Sequence, residues 1–77
     1  PSMGKATLRL QVSHADEFEV YVRDVSGRQI IRKISLGRLA EGERDVDLDL
    51  SAMENGFYLI EVRSATGSSW QKLILQH

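Results

Sequence analysis

The sequence predicts an all-β domain, an antiparallel two-sheet sandwich of about six or seven short strands. Apolar residues alternate with a period of two through nearly the whole chain, the spacing that returns side chains to one face of a strand. Turn-forming groups such as Ser26-Gly27, Glu41-Gly42, Asn55-Gly56 and Thr66-Gly67-Ser68 punctuate those runs, at intervals of roughly 8–12 residues. No segment carries an apolar stripe at helical spacing.

Ala6, Leu8, Leu10 and Val12 alternate with Lys5, Thr7, Arg9 and Gln11, giving a first strand with one wet face. Phe18, Val20 and Val22 alternate with Glu19, Tyr21 and Arg23 in a second. The turn Asp24–Arg28 follows. Asp24 is suited to accept hydrogen bonds from amides two or three residues on, Gly27 to take a left-handed conformation, and Arg28 to begin the next strand. Ile30, Arg32, Ile34 and Leu36 share one face of that third strand, with Ile31 on the other. Val46, Leu48 and Leu50 against Asp45, Asp47 and Asp49 form the cleanest alternation. Ser51–Asn55 offers one helical turn at most, and Asn55-Gly56 tolerates the positive φ of a tight turn before a strand. Tyr58, Ile60 and Val62 then oppose Phe57, Leu59, Glu61 and Arg63; a strand apolar on both faces at its start belongs in the middle of a sheet. In the last run, Trp70 to Gln76, Leu73 and Leu75 face away from Trp70 and Ile74.

Seventy-seven residues allow one domain with a thin core. Ten basic and eleven acidic residues are interspersed, for a net charge of -1. The basic stripe that nucleic-acid binding requires is missing. The chain has no cysteine, which rules out disulfides and thiolate zinc sites. No apolar run reaches the roughly 18 residues of a membrane helix, and if the protein is exported its targeting signal lies upstream in a longer precursor. Residues 1–4 are read as a linker or a remnant of expression, and residues 5–77 as the domain.

Candidate chemistry is sparse. Asp45, Asp47 and Asp49 invite a calcium reading, yet alternate residues of a strand lie about 6–7 Å apart, too far for one ion without a loop. An acidic face that keeps the strand soluble and discourages edge pairing accounts for them. His14 and His77 have no nucleophile or companion ligand at useful spacing. Ser13, Ser26, Ser51 and Ser64 fall at strand ends or turns, where hydroxyls cap backbone groups. No catalytic residue, metal site or cofactor motif is expected. Trp70 and Tyr58 alternate as core residues do and are expected to be buried with their polar tips at the rim. Tyr21 is the aromatic expected to be exposed.

Three segments carry a family resemblance. Val22-Arg23-Asp24-Val25-Ser26-Gly27-Arg28 is similar to Val-Tyr-Asp-Leu-Ser-Gly-Arg, with Arg23 in place of tyrosine. Leu50-Ser51-Ala52-Met53-Glu54-Asn55-Gly56-Phe57-Tyr58 is similar to Leu-Ser-x-Leu-x-x-Gly-x-Tyr. Lys72-Leu73-Ile74-Leu75 is similar to a terminal Lys-Leu-hydrophobic-hydrophobic. In this order they resemble the C-terminal sorting domain of the type IX secretion system of Bacteroidetes, over about Lys5 to Leu75. The Pro-Asn-Pro that opens that domain is absent, and Gln76-His77 stand where a basic residue often ends it.

The resemblance implies an Ig-like sandwich that directs cargo across the outer membrane to the cell surface or medium and has no catalysis of its own. Its implied partners are the translocon, outer-membrane shuttle components and a surface sortase, with no nucleic acid and no small-molecule substrate. It implies that Lys72, Leu73, Ile74 and Leu75 are read by the translocon, with Asp24, Gly27, Arg28, Gly56 and Tyr58 forming the motif turns. A strand near the chain end offers an edge for a receptor, or for weak homodimerisation. The alternative reading is an Ig-like accessory or carbohydrate-binding module of an extracellular enzyme or adhesin. A weaker similarity, to the Ig-like domain of flagellar hook-capping proteins, lacks that family's Trp-Asp-Gly, for Leu48-Asp49-Leu50 stands there.

Overall fold

The alternating runs become six strands in the computed structural model, which describes residues 5–76. They are β1 (Lys5–Val12), β2 (Asp16–Asp24), β3 (Ile30–Leu39), β4 (Gly42–Asp49), β5 (Gly56–Ser64) and β6 (Gly67–Leu75). The residues assigned to a linker, 1–4, and His77 lie outside the described residues. No helix among the described residues is long and apolar enough to cross a membrane.

Every strand pair is antiparallel. β1 and β4 form a two-stranded sheet, and the other four form a sheet in the order β3-β2-β5-β6. The core lies between them, as in a small β-sandwich. β1 contributes Leu8, Leu10 and Val12, β4 contributes Leu48, β2 contributes Val20 and Val22, and β5 contributes Ile60 and Val62. Leu75 of β6 and two residues of the β4–β5 connection, Leu50 and Met53, close one end. That connection is a turn held by the Met53 amide donating to the Leu50 carbonyl at 3.0 Å. The Cα envelope measures 34 × 29 × 16 Å, so the shortest direction holds two layers and one core.

The two-stranded sheet covers one face of the four-stranded sheet and leaves the other to solvent. β2 and β5 occupy the middle of the larger sheet, as the double apolar start of β5 requires. The ladder between β2 and β3 slips at Phe18/Glu19 and again at Val22/Arg23, each slip being a β-bulge. The second corrects one expectation. Ile30 pairs with Arg23 on the outward face while Ile34 pairs with Val20 on the inward face, because the extra residue, Ile31, breaks the parity that ran from Ile30 to Leu36. Arg28 does not begin the strand either; it lies in the turn, and β3 starts at Ile30.

The aromatic expectations are also corrected. Tyr21 is 8 % exposed and Trp70 is 52 % exposed. Tyr21 faces outward but sits on central β2, where cationic side chains from neighbouring strands cover it. Trp70 faces outward on β6, an edge strand with neighbours on one side only.

Leu48 is 1 % exposed at the centre of the core. Leu48→Ala is expected to cost about 2–5 kcal/mol in chemical denaturation. Thr7→Ala, on the wet face of β1, should stay within about 0.5 kcal/mol. Equal effects from the two would contradict this inside–outside assignment.

Candidate functional site

The outward face of the four-stranded sheet carries Arg23, Phe57, Lys72 and Ile74 of the motif segments. The register sets them in rows across the strands. Lys33, Tyr21, Glu61 and Trp70 form one row, and Ile30, Arg23, Leu59 and Lys72 the next; Phe57 and Ile74 pair beyond them.

Glu61 anchors the face. It is a buried carboxylate, 3 % exposed, and such a group needs charged partners to remain ionised. Arg23 donates from Nε and Nη2 to its Oε1 at 3.1 and 3.0 Å. Arg63 donates from Nε and Nη2 to its Oε2 at 3.2 and 2.9 Å. Burial raises the Glu61 pKa, but the hydrogen bonds from Arg63 and then Arg23 outweigh it and hold the carboxyl below its ordinary value. The guanidinium of Arg63 lies 4.5 Å from the Tyr21 ring centroid, and that of Arg23 lies 5.6 Å from the Trp70 centroid, both within cation–π range. The Tyr21 hydroxyl donates to Glu19 Oε1 at 3.1 Å, and Lys33 pairs with Glu19 at 3.2 Å. Sequence reading missed this layer. Its one signal was a glutamate amid the apolar residues of a central strand.

The Asp24–Arg28 turn folds against the same sheet. The Asp24 amide donates to the Gln29 carbonyl at 3.0 Å, and the Gly27 amide to the Asp24 carbonyl at 2.8 Å. Asp24 Oδ1 accepts from Ser26 Oγ at 2.9 Å and from the amides of Arg28 and Gln29 at 3.1 and 3.2 Å. Its amide donors include Gly27, three residues on as expected, and extend to the fourth and fifth residues because the loop runs on to Ile30 before pairing. The hydrogen bond from the Gln29 amide leads in lowering the Asp24 pKa. Gly27 has φ +76°, the left-handed conformation expected, and a Cβ there would lie 3.7 Å from Leu59 Cδ1. Arg23 Nη1 also reaches the Gly27 carbonyl, at 3.4 Å, linking the turn to Glu61.

The other motif residues converge on this end of the sheet. Gly56 pairs with Leu75, Tyr58 with Leu73 and Asp24 with Tyr58. Gly56 holds φ +156°, a conformation open to glycine and costly for other residues. The Tyr58 hydroxyl donates to the Glu54 carbonyl at 2.6 Å, pinning the preceding turn. Within Lys72–Leu75 the side chains divide. Leu75 is buried and Leu73 half-buried against the core, whereas Lys72 and Ile74 are exposed on the outward face. Ile74 and its partner Phe57 are 58 % and 59 % exposed, Phe57 on the face whose parity it shares with Glu61 and Arg63. Arg28 is exposed on the turn.

The aspartates of β4 are not brought to one point. Asp45 accepts from Arg9 at 3.0 Å, Asp47 from Thr7 at 3.0 Å, and Asp49 from the Ser51 amide at 3.1 Å. Among the described residues no group of three or more His, Asp or Glu side chains could hold a metal ion. His14 is exposed.

Fold and surface define a class, the small all-β module with one dry face and one elaborated face. The chain belongs to the secretion system C-terminal sorting domain family, whose model matches residues 1–76. No curated protein and no solved structure matches the chain. Domains of this family are the sorting signals of type IX secretion. This domain therefore marks its protein for export through that machinery to the cell surface or the medium.

Gly27→Val is expected to destabilise the fold by about 1–3 kcal/mol through the left-handed φ, since the nearest side-chain atom leaves room for the Cβ. An unchanged melting temperature would contradict it. Glu61 predicts a pH dependence. Its folded pKa is depressed, so its stabilisation is complete above the unfolded-chain value and is lost as pH falls through the folded value. Glu61→Gln should be less stable than wild type at neutral pH and lose less on acidification. Parallel curves from urea titrations at several pH values would refute this.

Proposed function

We propose that the type IX machinery reads the end of the four-stranded sheet at which the three motif segments meet, with Lys72 and Ile74 as direct contacts. One observation supports this above others: Phe57 and Ile74 lie side by side across β5 and β6, each more than half exposed. A small soluble domain rarely leaves two large apolar side chains paired in water unless the patch meets a partner. Lys72, in the next row, adds a cation that takes no ion pair among the described residues.

In this reading Leu73 and Leu75 serve recognition through the core, by holding β6 in register. Asp24, Gly27, Gly56 and Tyr58 are a scaffold, setting the turn and the start of β5. Arg28 lies on the rim of the contact surface. The translocon and its outer-membrane shuttle components are the readers, and a surface sortase acts on the exported product. The domain itself supplies no catalytic group.

The test is surface display of a cargo carrying variants of this domain. Ile74→Glu and Lys72→Glu are expected to lower display by about tenfold, the loss typical of one central contact, with melting temperatures unchanged. Leu75→Ala should lower display together with stability, by about 2–5 kcal/mol. Deleting residues 72–77 should abolish export. Full display of Ile74→Glu, or of the truncated cargo, would overturn the proposal.

A further inference from the structure

The two sheets leave four strand edges, and three of them are guarded. β3 is interrupted by two bulges and carries Arg32, Lys33 and Arg38. β4 carries Glu43, Arg44, Asp45, Asp47 and Asp49 in eight residues. β1 carries Lys5 and Arg9, and its outward side chains are all polar. Charges, bulges and short length are the means by which proteins keep strand edges from pairing with other chains.

β6 is the least guarded, with a single charge as its one such device. Its nine residues pair with β5 without a register shift, contain no proline and carry one charge, Lys72. Its outward side chains include Trp70 and Ile74, both more than half exposed. Beside the free edge lies an open groove of about 450 Å³, bounded by Leu8 and Leu10 of β1 and by Ser69 and Gln71 of β6. Ser69 and Gln71 share the inward parity of Leu73 and Leu75, yet they are exposed, because β1 does not reach over them. A strand laid along β6 would find unpaired backbone groups at its side and room for its inward side chains in this groove.

We propose that β6 is a strand-accepting edge, and that its occupant is an extended partner segment reading apolar–x–acidic–x–apolar. The pattern follows from the register. Side chains directly opposite one another on a sheet face interact, so the occupant sets an apolar residue beside Trp70, a carboxylate beside unpaired Lys72 and an apolar residue beside Ile74. The two intervening residues fall opposite exposed Gln71 and half-buried Leu73, positions that small residues such as threonine suit. Backbone hydrogen bonds supply affinity and the alternate side chains supply specificity, as in other strand-addition complexes. This proposal rests on the reading of Lys72 and Ile74 as contacts and adds the mode of contact.

The probe is a synthetic peptide with blocked ends that alternates threonine with Val, Glu and Val, added to the 77-residue chain. Amide hydrogen exchange of β6 should slow and the emission of Trp70 should shift with saturation. Replacing Glu by Lys in the peptide should weaken binding by about tenfold, and the Lys72→Glu chain should reverse that preference. A peptide N-methylated along its β6-facing edge should not bind. Equal binding of the N-methylated peptide, or saturation without protection of β6, would overturn strand addition. So would protection of β6 that rises with chain concentration alone, which would assign the edge to a second copy. Display loss in Ile74→Glu alongside a failed peptide test would leave the contact surface standing without strand addition, so the two proposals fail separately.

Discussion

The ion cluster around Glu61 is the constraint on which the exposed face of this domain depends. Six strands divided two and four give the larger sheet a partner on one side only. Its other side would be a bare central ladder without a covering layer. Arg23 and Arg63 supply that layer by gripping one carboxylate from both sides and by lying over Tyr21 and Trp70. A buried ion group adds little net stability compared with apolar packing, but removing one partner strands a charge and is costly. The cluster therefore acts mainly to fix geometry. It locks β2 to β5 and, through the Arg23 contact with the Gly27 carbonyl, ties the motif turn to the sheet.

With that centre fixed, the end of the sheet proposed as the contact surface is built from segments distant in sequence. The β2–β3 turn, the start of β5 and the last strand meet because β5 pairs with β2 on one side and β6 on the other. The surface comprising Phe57, Ile74 and Lys72 exists only once this pairing has formed. A surface assembled from three segments in this way is present in the folded domain and absent from the unfolded chain. The division within Lys72–Leu75 follows from the same geometry. Period two sends Leu73 and Leu75 into the core and leaves Lys72 and Ile74 in water, so one short motif supplies both core and surface.

Much of this was legible in the residues. Period-two alternation placed β1 and β4 on the correct faces, and the double apolar start of β5 marked it as central. The Asp24–Arg28 turn revealed its left-handed glycine. What was missed depended on information that no single strand carries. Tyr21 and Trp70 have similar local patterns, and their exposures differ because one lies mid-sheet beneath arginines and the other on an edge. Ile30 changed face through a bulge, an extra residue that parity alone does not register. The partners of Glu61 come from β2 and from β5 itself, so the cluster became visible only when the register was known. Phe57 shares its parity with Glu61 and Arg63, and its pairing with Ile74 on the wet face came only with the register of β5 and β6.

The most direct measurement is a transplant. Residues 5–77 are fused to the C-terminus of a fluorescent protein bearing a signal peptide, then expressed in a Bacteroidetes host with an intact type IX system and in a translocon mutant. Fluorescence at the surface or in the medium of the intact host, with periplasmic retention in the mutant, is the result expected of a sorting domain. Retention in both hosts, with the fusion folded and uncleaved, would contradict it.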